Sequence, residues 1–409
     1  MKYVILLADG MADHPCSELG GKTPLEYART PYMDWIAAKG TQGLIDTIPK
    51  GLPPGSDVAN LSVLGYDPAV CFTGRGPLEA ANMGLDLSPV DVAFRCNLVT
   101  LGPKPDQLME DFTAGHITSA EGEKIVETLQ AEFGRKEFSF YPGVSYRHIM
   151  VWRRGIAEMR VTPPHDITGQ ASVQYLPNGP GSEKVINIMR TSQDVLAEHP
   201  INKERVDKGL RPANAIWLWG QGHIPKMRKI HERYKVHGGM ISAVDLLNGI
   251  AVYAGLEILH VAGATGYTDT NYTGKGQKAL EALRDLDLVF IHVEAPDEMG
   301  HEGNLSGKIQ AIEDFDEKVV GTILKDIGSY GPFRVAVLSD HPTPLEIKTH
   351  TGDPSPIAVF SSIEAENQGR KINFGETQAK GSGNLISPGH DFLDLFIRYW
   401  SKFTKHNRL

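Results

Sequence analysis

The stretch LDLVFIHVE (286–294), running directly into APDEMGHEG (295–303), decides the fold. Its first part is an unbroken apolar run of strand length, the pattern of a strand buried on both faces. Its second part sets Asp297 and His301 four residues apart. One helical turn would place both side chains on one face. In open α/β sheets, ligands collect beyond the carboxyl ends of the strands, which is where this pair falls.

The same arrangement recurs on either side. YVILLA (3–8) ends at Asp9, and RVAVLSD (334–340) ends at Asp340, followed by His341. NAIWLWG (214–220) and LEILHVAG (256–263) are further apolar runs. Ile309, Ile312, Phe315, Val319, Val320, Ile323 and Leu324 keep the three-and-four spacing of an amphipathic helix. Strands alternating with helices predict an α/β fold, a mainly parallel sheet with helices on both faces. Residues 101–178 read differently. Their segments are short, and KEFSFYPGVSYRHIMVWRRG (136–155) alternates polar with apolar. This predicts an inserted α+β lid domain with an antiparallel, one-face-exposed sheet and a helix near 119–133. Gly102-Pro103 and LPNGPGS (176–182) supply turn-rich borders, leaving 1–100 and 179–409 as a discontinuous catalytic core.

Composition narrows the setting. Of 409 residues, 41% are hydrophobic and 22% charged, which suits a globular chain rather than a disordered or membrane-embedded one. Lys+Arg 41 against Asp+Glu 50 leaves a net charge of −9, which argues against a nucleic-acid partner. The apolar run at 3–8 is too short for a signal segment, and nothing approaches a membrane span. Cys16, Cys71 and Cys96 lack CxxC spacing, so no disulfide framework is predicted. Together these features predict a cytoplasmic protein with no membrane partner; the sequence is compatible with an oligomer.

Asp9, Asp297, His301, Asp340 and His341 end three separate strands, with His350 close behind in KTHTGDPSP. Carboxylate plus imidazole suits a divalent ion such as Mn²⁺ or Zn²⁺. In GLPPGSDVANLSVLGYDP (51–68), Ser56 stands at or near a helix start, where free N–H groups favour a phosphate. It is either a nucleophile activated by metal contact or a plain helix cap.

Taken together, Asp9, GSDVAN, Asp297-x-x-x-His301, Asp340-His341 and His350-Thr-x-x-Pro resemble the alkaline phosphatase superfamily. More narrowly the chain is similar to cofactor-independent phosphoglycerate mutases of the archaeal-type branch. TGRGPLEAANMG (73–84), DVAFRCN (91–97), YRHIMVW (146–152), PPHDITG (163–169), TGYTDTNYTGK (265–275) and GHDFLDL (389–395) extend the resemblance nearly end to end. It implies an alkaline-phosphatase-like core and interconversion of 3- and 2-phosphoglycerate through a phosphoserine at Ser56. It further implies two divalent ions, Mn²⁺ with Zn²⁺ or Mg²⁺ as alternatives, and no 2,3-bisphosphoglycerate. One ion would take Asp297, His301 and His350; the other Asp9, Ser56, Asp340 and His341. Arg75, Arg95, Arg147, His148 and Lys275 fall in matching motifs and are candidates for binding a small phosphorylated substrate. LMEDFTAGHITSAEG (108–122) resembles a stretch where many mutases carry arginines before the glycine, in a form like DRRAGR; here those places read Asp111, Phe112, Thr113 and His116. That departure resembles a subgroup proposed to act as homoserine kinases, so a related phosphotransferase or a phosphatase of the superfamily is the alternative.

Overall fold

The computed structural model describes residues 1–364 and 372–400, so residues 365–371 and 401–409 of the predicted core lie outside the described residues. Two compact units form: Met1–Phe72 with Lys226–Leu409, and Thr73–Pro225.

The larger unit is built on an eight-stranded sheet. Its order is Leu385–Ile386, Thr41–Ile45, Ser355–Ser361, Phe333–Leu338, Lys2–Ala8, Leu288–Val293, Gly238–Ile241 and Glu257–Ile258. Lys2–Ala8 lies parallel to both central neighbours, with Ala8 opposite Val293 and Leu7 opposite both His292 and Leu338. The two antiparallel pairings both involve Ser355–Ser361. Strand residues Val4 to Ala8, Leu288 to Ile291 and Val335 to Leu338 are fully buried, as expected where helices cover both faces. The amphipathic run folds as the helix Leu305–Asp314, a π-helical turn Phe315–Val320 and the helix Gly321–Asp326. Ile312, Phe315, Val319, Val320 and Ile323 pack into the core against Val4 and Leu6. Truncating one such side chain, Phe315→Ala, would cost about 3–5 kcal/mol through lost burial and the cavity left behind.

The smaller unit has a five-stranded antiparallel sheet centred on Val92–Leu101. This strand pairs with Met109–Asp111, Arg147–Trp152 and Ala215–Gly222, and Phe138–Tyr141 pairs with Arg147–Trp152. Two expectations change here. The NAIWLWG run is not a strand of the parallel sheet: as Ala215–Gly222 it lies antiparallel to Val92–Leu101. The unit also starts earlier and ends later than 101–178, because its central strand, VAFRCNLVTL, begins at Val92. Nor is one face of its central strand exposed. Every residue of Val92–Leu101 is buried. Phe94, Cys96 and Leu98 face a core shared with the helices Ser119–Phe133 and Ser182–Ala197, while Ala93 packs with Ala80 of the helix Arg75–Asn82. LEILHVAG contributes only the short strand Glu257–Ile258. The three cysteines are free thiols, and among the described residues no helix is long and apolar enough to cross a membrane.

Candidate active site

Parallel register assembles the larger unit's site. Because Lys2–Ala8 is flanked in register by Leu288–Val293 and Phe333–Leu338, the residues just past the three strands become neighbours. Asp9, the helix Ala295–Glu302, and Asp340 with His341 therefore meet. Gly10 permits the approach. It has φ +58°, and a Cβ there would stand 2.4 Å from Asp297 Oδ1 and 2.7 Å from the Asp297 Cα.

Asp297, His301 and His350 form one group whose ligand atoms lie within 4.8 Å of one another. Asp297 Oδ2 is 3.1 Å from His301 Nε2, and Oδ1 is 3.4 Å from His350 Nε2. The two Nε2 atoms face each other at 2.9 Å. His301 Nδ1 lies 3.1 Å from the Lys348 carbonyl, to which it donates, fixing the ring with Nε2 directed inward. Burial pushes the Asp297 carboxyl up, but hydrogen bonds with His301 and His350 outweigh it and hold the group well below the carboxylate range. His301 is pushed up to about 9, chiefly by its hydrogen bond to Asp297. The arrangement favours positive charge at this point.

Asp9, Asp340 and His341 form a second group, fully buried. His341 Nε2 is 3.4 Å from Asp9 Oδ1, 3.6 Å from Asp340 Oδ2 and 3.2 Å from Ser56 Oγ. The Thr343 hydroxyl donates to Asp297 Oδ1 and sits 3.3 Å from His341 Nδ1, so it can accept that ring's proton. Asp340 Oδ1 accepts the N–H groups of Gly10 (3.1 Å) and His341 (2.9 Å). Asn60 donates both to Asp340 Oδ2 (3.0 Å) and to the Ser56 carbonyl (2.8 Å), which ties the serine's helix to the strand ends. Ser56 is the first residue of the helix Ser56–Val63; Gly55 occupies the cap position and no side chain caps the helix. The capping role open to this serine in the sequence is therefore not taken up, and its hydroxyl lies against His341 instead.

The donor set fits divalent cations. Burial, then the charges of Asp340, Glu294 and Asp297, raise Asp9 well above its ordinary range. Its Oδ1 is buried without a hydrogen-bond partner. Glu294 is pushed up to about 8, by burial and by Asp297. Crowded carboxylates with an orphaned oxygen are relieved by a cation. A third group, Asp9 with His292 and Glu294, adjoins these two.

The five predicted substrate residues do not form one group. Arg95 and Arg147 lie on one face of the smaller unit's sheet, on adjacent strands where Asn97 pairs with Arg147. Arg95 Nε is 3.1 Å from Glu79, and its guanidinium stacks 4.3 Å over the Trp219 ring. Burial, opposed by Glu79 and helped by the charges of Arg75 and Arg147, lowers the Arg95 pKa, so two further guanidinium groups lie near enough to repel its own. His165 stands edge-on to Trp219 with ring centroids 5.3 Å apart. His148 points to the opposite face, where a Cβ on Gly122 would lie 3.1 Å from its Nε2. Lys275 belongs to the larger unit; it is fully buried and its ammonium donates to the His292 carbonyl at 2.8 Å. The segment without the mutase arginines is held from elsewhere. Arg205 donates to the Ala114 carbonyl at 2.8 Å and Arg211 to Asp111 Oδ2 at 2.8 Å.

Residues 37–202 match the family model for 2,3-bisphosphoglycerate-independent phosphoglycerate mutase. A Geobacter sulfurreducens protein described as a probable 2,3-bisphosphoglycerate-independent phosphoglycerate mutase is 53% identical over 97% of this chain and 100% of its own. A Methanosarcina barkeri mutase of that description is 51% identical over the same shares. Among solved structures, a Pyrococcus horikoshii protein superposes with a TM-score of 0.81 at 32% identity, covering 98% of this chain and 97% of its own. The cofactor-independent phosphoglycerate mutase of Thermoplasma acidophilum gives 0.67 at 26%, covering 98% and 100%. The fold and site thus place the chain among α/β phosphotransfer enzymes. It belongs to the 2,3-bisphosphoglycerate-independent phosphoglycerate mutase family, and the homoserine-kinase-like alternative is not favoured.

Sequence reasoning missed His292, Glu294, Thr343, Asn60, Trp219 and His165. His292 lies within an apolar strand and reads as core. Glu294 and Thr343 adjoin recognised ligands, and that adjacency was the available signal.

Proposed function

We propose that the chain interconverts 3-phosphoglycerate and 2-phosphoglycerate, with Ser56 carrying the phosphoryl group between the two hydroxyls. One observation carries this reading: an uncapping serine at a helix start, its hydroxyl 3.2 Å from His341 Nε2 among the carboxylate–imidazole groups. In the first transfer the bond from phosphorus to Ser56 Oγ forms as its bond to the glycerate oxygen breaks. The serine gives up its hydroxyl proton, and the departing glycerate oxygen gains one. The second transfer reverses these changes at the other hydroxyl. The free N–H groups opening the Ser56–Val63 helix suit the phosphoserine oxygens.

Asp297, His301 and His350 would hold one divalent ion, and Asp9, Ser56, Asp340 and His341 the other. Mn²⁺ suits the mixed oxygen and nitrogen donors, with Zn²⁺ and Mg²⁺ as alternatives. Bound there, the ions would lower the serine's pKa and stabilise charge on the transferring phosphoryl group. A phosphoryl group kept on Ser56 makes 2,3-bisphosphoglycerate unnecessary. Arg75, Arg95 and Arg147 are our candidates for the glycerate carboxylate, since guanidinium forks match carboxylates. His148, buried on the opposite face of that sheet, and Lys275, whose ammonium is bonded to the His292 carbonyl, are left out of this group. We assign the Thr73–Pro225 unit the role of a lid that keeps glycerate from water between transfers, and the protein as a whole to the cytoplasm.

The test is mass spectrometry of protein quenched in acid during turnover. Phosphate should appear on the Ser56 peptide and not on Ser62, whose hydroxyl is buried and donates to the Thr47 carbonyl at 2.6 Å. Ser56→Ala should lose turnover by about four orders of magnitude or more. Near-normal turnover in that variant would overturn the mechanism.

A further inference from the structure

We propose that His292 is a positioning residue that fixes which oxygen of Asp9 faces the Asp340–His341–Ser56 group; this rests on the reading of Asp9 as a metal ligand. His292 is fully buried in the Leu288–Val293 strand, beside Leu7 and two residues from Asp9 in register. A directed chain of hydrogen bonds sets its tautomer. The Val244 N–H donates to Ser242 Oγ at 3.0 Å, so the serine hydroxyl is free to donate to His292 Nδ1 at 3.3 Å. With Nδ1 accepting, the ring proton sits on Nε2, which donates to Asp9 Oδ2 at 2.8 Å.

The consequence is an asymmetric carboxylate. Oδ2 is engaged by His292, while Oδ1 is left without a hydrogen-bond partner, 3.4 Å from His341 Nε2. A ligand carboxylate anchored through one oxygen presents the other with fixed aim and without the entropy loss of stopping its rotation at binding. Glu294 Oε2 also lies 3.4 Å from His292 Nε2, so Asp9, His292 and Glu294 could instead hold a third cation. Two features oppose that. The Nε2 atom is spent as a donor, and the Lys275 ammonium on the His292 carbonyl brings a positive charge to this side of the group.

The experiment is Mn²⁺ titration of the chelator-stripped full chain, with free Mn²⁺ followed by electron paramagnetic resonance. Wild type should bind two classes of Mn²⁺. Asp9→Asn should lose one of them. His292→Ala should weaken that same class by about tenfold to a hundredfold and leave the other unchanged. His292→Gln, whose amide N–H can reach the place of the imidazole Nε2–H, should recover most of the loss. Ser242→Ala, a milder change should His292→Ala fail to fold, should weaken the same class severalfold. If Asp9→Asn binds like wild type, the metal-ligand reading itself fails. If Asp9→Asn loses a class but His292→Ala and Ser242→Ala do not weaken it, the positioning role alone is overturned. A third equivalent in wild type, lost equally in His292→Ala and His292→Gln, would make His292 a ligand and likewise overturn it.

Discussion

The two units concentrate opposite charges by different geometric means. In the larger unit a parallel sheet sends every central strand's carboxyl end to one edge. Residues hundreds of positions apart, Asp9, Asp297 and Asp340, then meet without any side chain reaching far. In the smaller unit strands run antiparallel, so their ends do not converge. Its charged residues meet on a face instead: Arg95 and Arg147 share one face of adjacent strands, where Arg147 pairs with Asn97 and Arg95 with Ile149. Edge assembly yields a compact, buried donor set suited to small cations. Face assembly yields a broader platform of guanidinium groups and an indole, suited to a planar anion.

If that division of labour holds, damage to the edge should abolish chemistry and damage to the face should weaken binding. Of the two, the larger effect should follow removal of the cations. Exhaustive chelation should reduce turnover by at least about a hundredfold, with Mn²⁺ restoring it and the far-ultraviolet circular dichroism unchanged. His301→Ala and Asp340→Ala should each lose turnover on that scale, with metal analysis showing depletion of a different ion in each. Turnover that survives chelation would break the comparison at its first term.

A smaller effect should follow changes to the face. Arg147→Ala removes one guanidinium while keeping the buried Arg95–Glu79 ion pair, which Arg95→Ala would break. Loss of one charge-assisted hydrogen bond is worth about 1.5–3 kcal/mol, so KM for 3-phosphoglycerate should rise about tenfold to a hundredfold. Metal content should not change. A variant with unchanged KM and lowered kcat would place Arg147 in the chemistry rather than in binding.

The same geometric difference explains what the sequence could and could not disclose. Strand-end ligands announce themselves, because Asp340 and His341 interrupt an apolar run at its end. Asp297 and His301 keep helical spacing, and the helix Ala295–Glu302 forms where that spacing puts it. The partner of Asp9 was hidden, because His292 sits inside an apolar strand and only tertiary register shows which carboxylate it meets. Val92–Leu101 was hard to allot to a unit for a related reason. Covered on both faces, it is buried throughout, yet Arg95, Asn97 and Thr100 interrupt its apolar residues, so neither an unbroken core run nor a clean alternation marks it in the sequence. The helix at Ser119–Phe133 was legible because Thr118 and Glu121 form a capping box around its start.

The units should also differ in how acid affects them, and His148 is the residue that shows it. Its ring is buried, and burial pushes its pKa down to about 4. The Gly143 N–H donates to its Nδ1 at 3.0 Å, so charging the ring puts a proton where a donor already points. Its Nε2 is buried with no hydrogen-bond partner, and the Ser145 backbone only partly opposes the downward shift. Between pH 6.5 and 4 the unfolded chain binds a proton here that the folded chain does not. Stability therefore rises with pH across that window, is fully present above it, and is lost as pH falls towards 4. The loss amounts to at most about 3 kcal/mol. Asp316 in the larger unit has the opposite sign. Burial raises it to about 7 against the opposing N–H groups of Met33 and Tyr32, so its contribution is lost as pH rises from about 4 to 7. Hydrogen exchange measured separately on peptides of each unit would read both trends. Amides of Val92–Leu101 and Arg147–Trp152 should lose protection between pH 7 and 5 in the wild type, and His148→Gln should flatten that dependence. Parallel profiles for the two proteins over this range would show that His148 does not set the smaller unit's acid sensitivity.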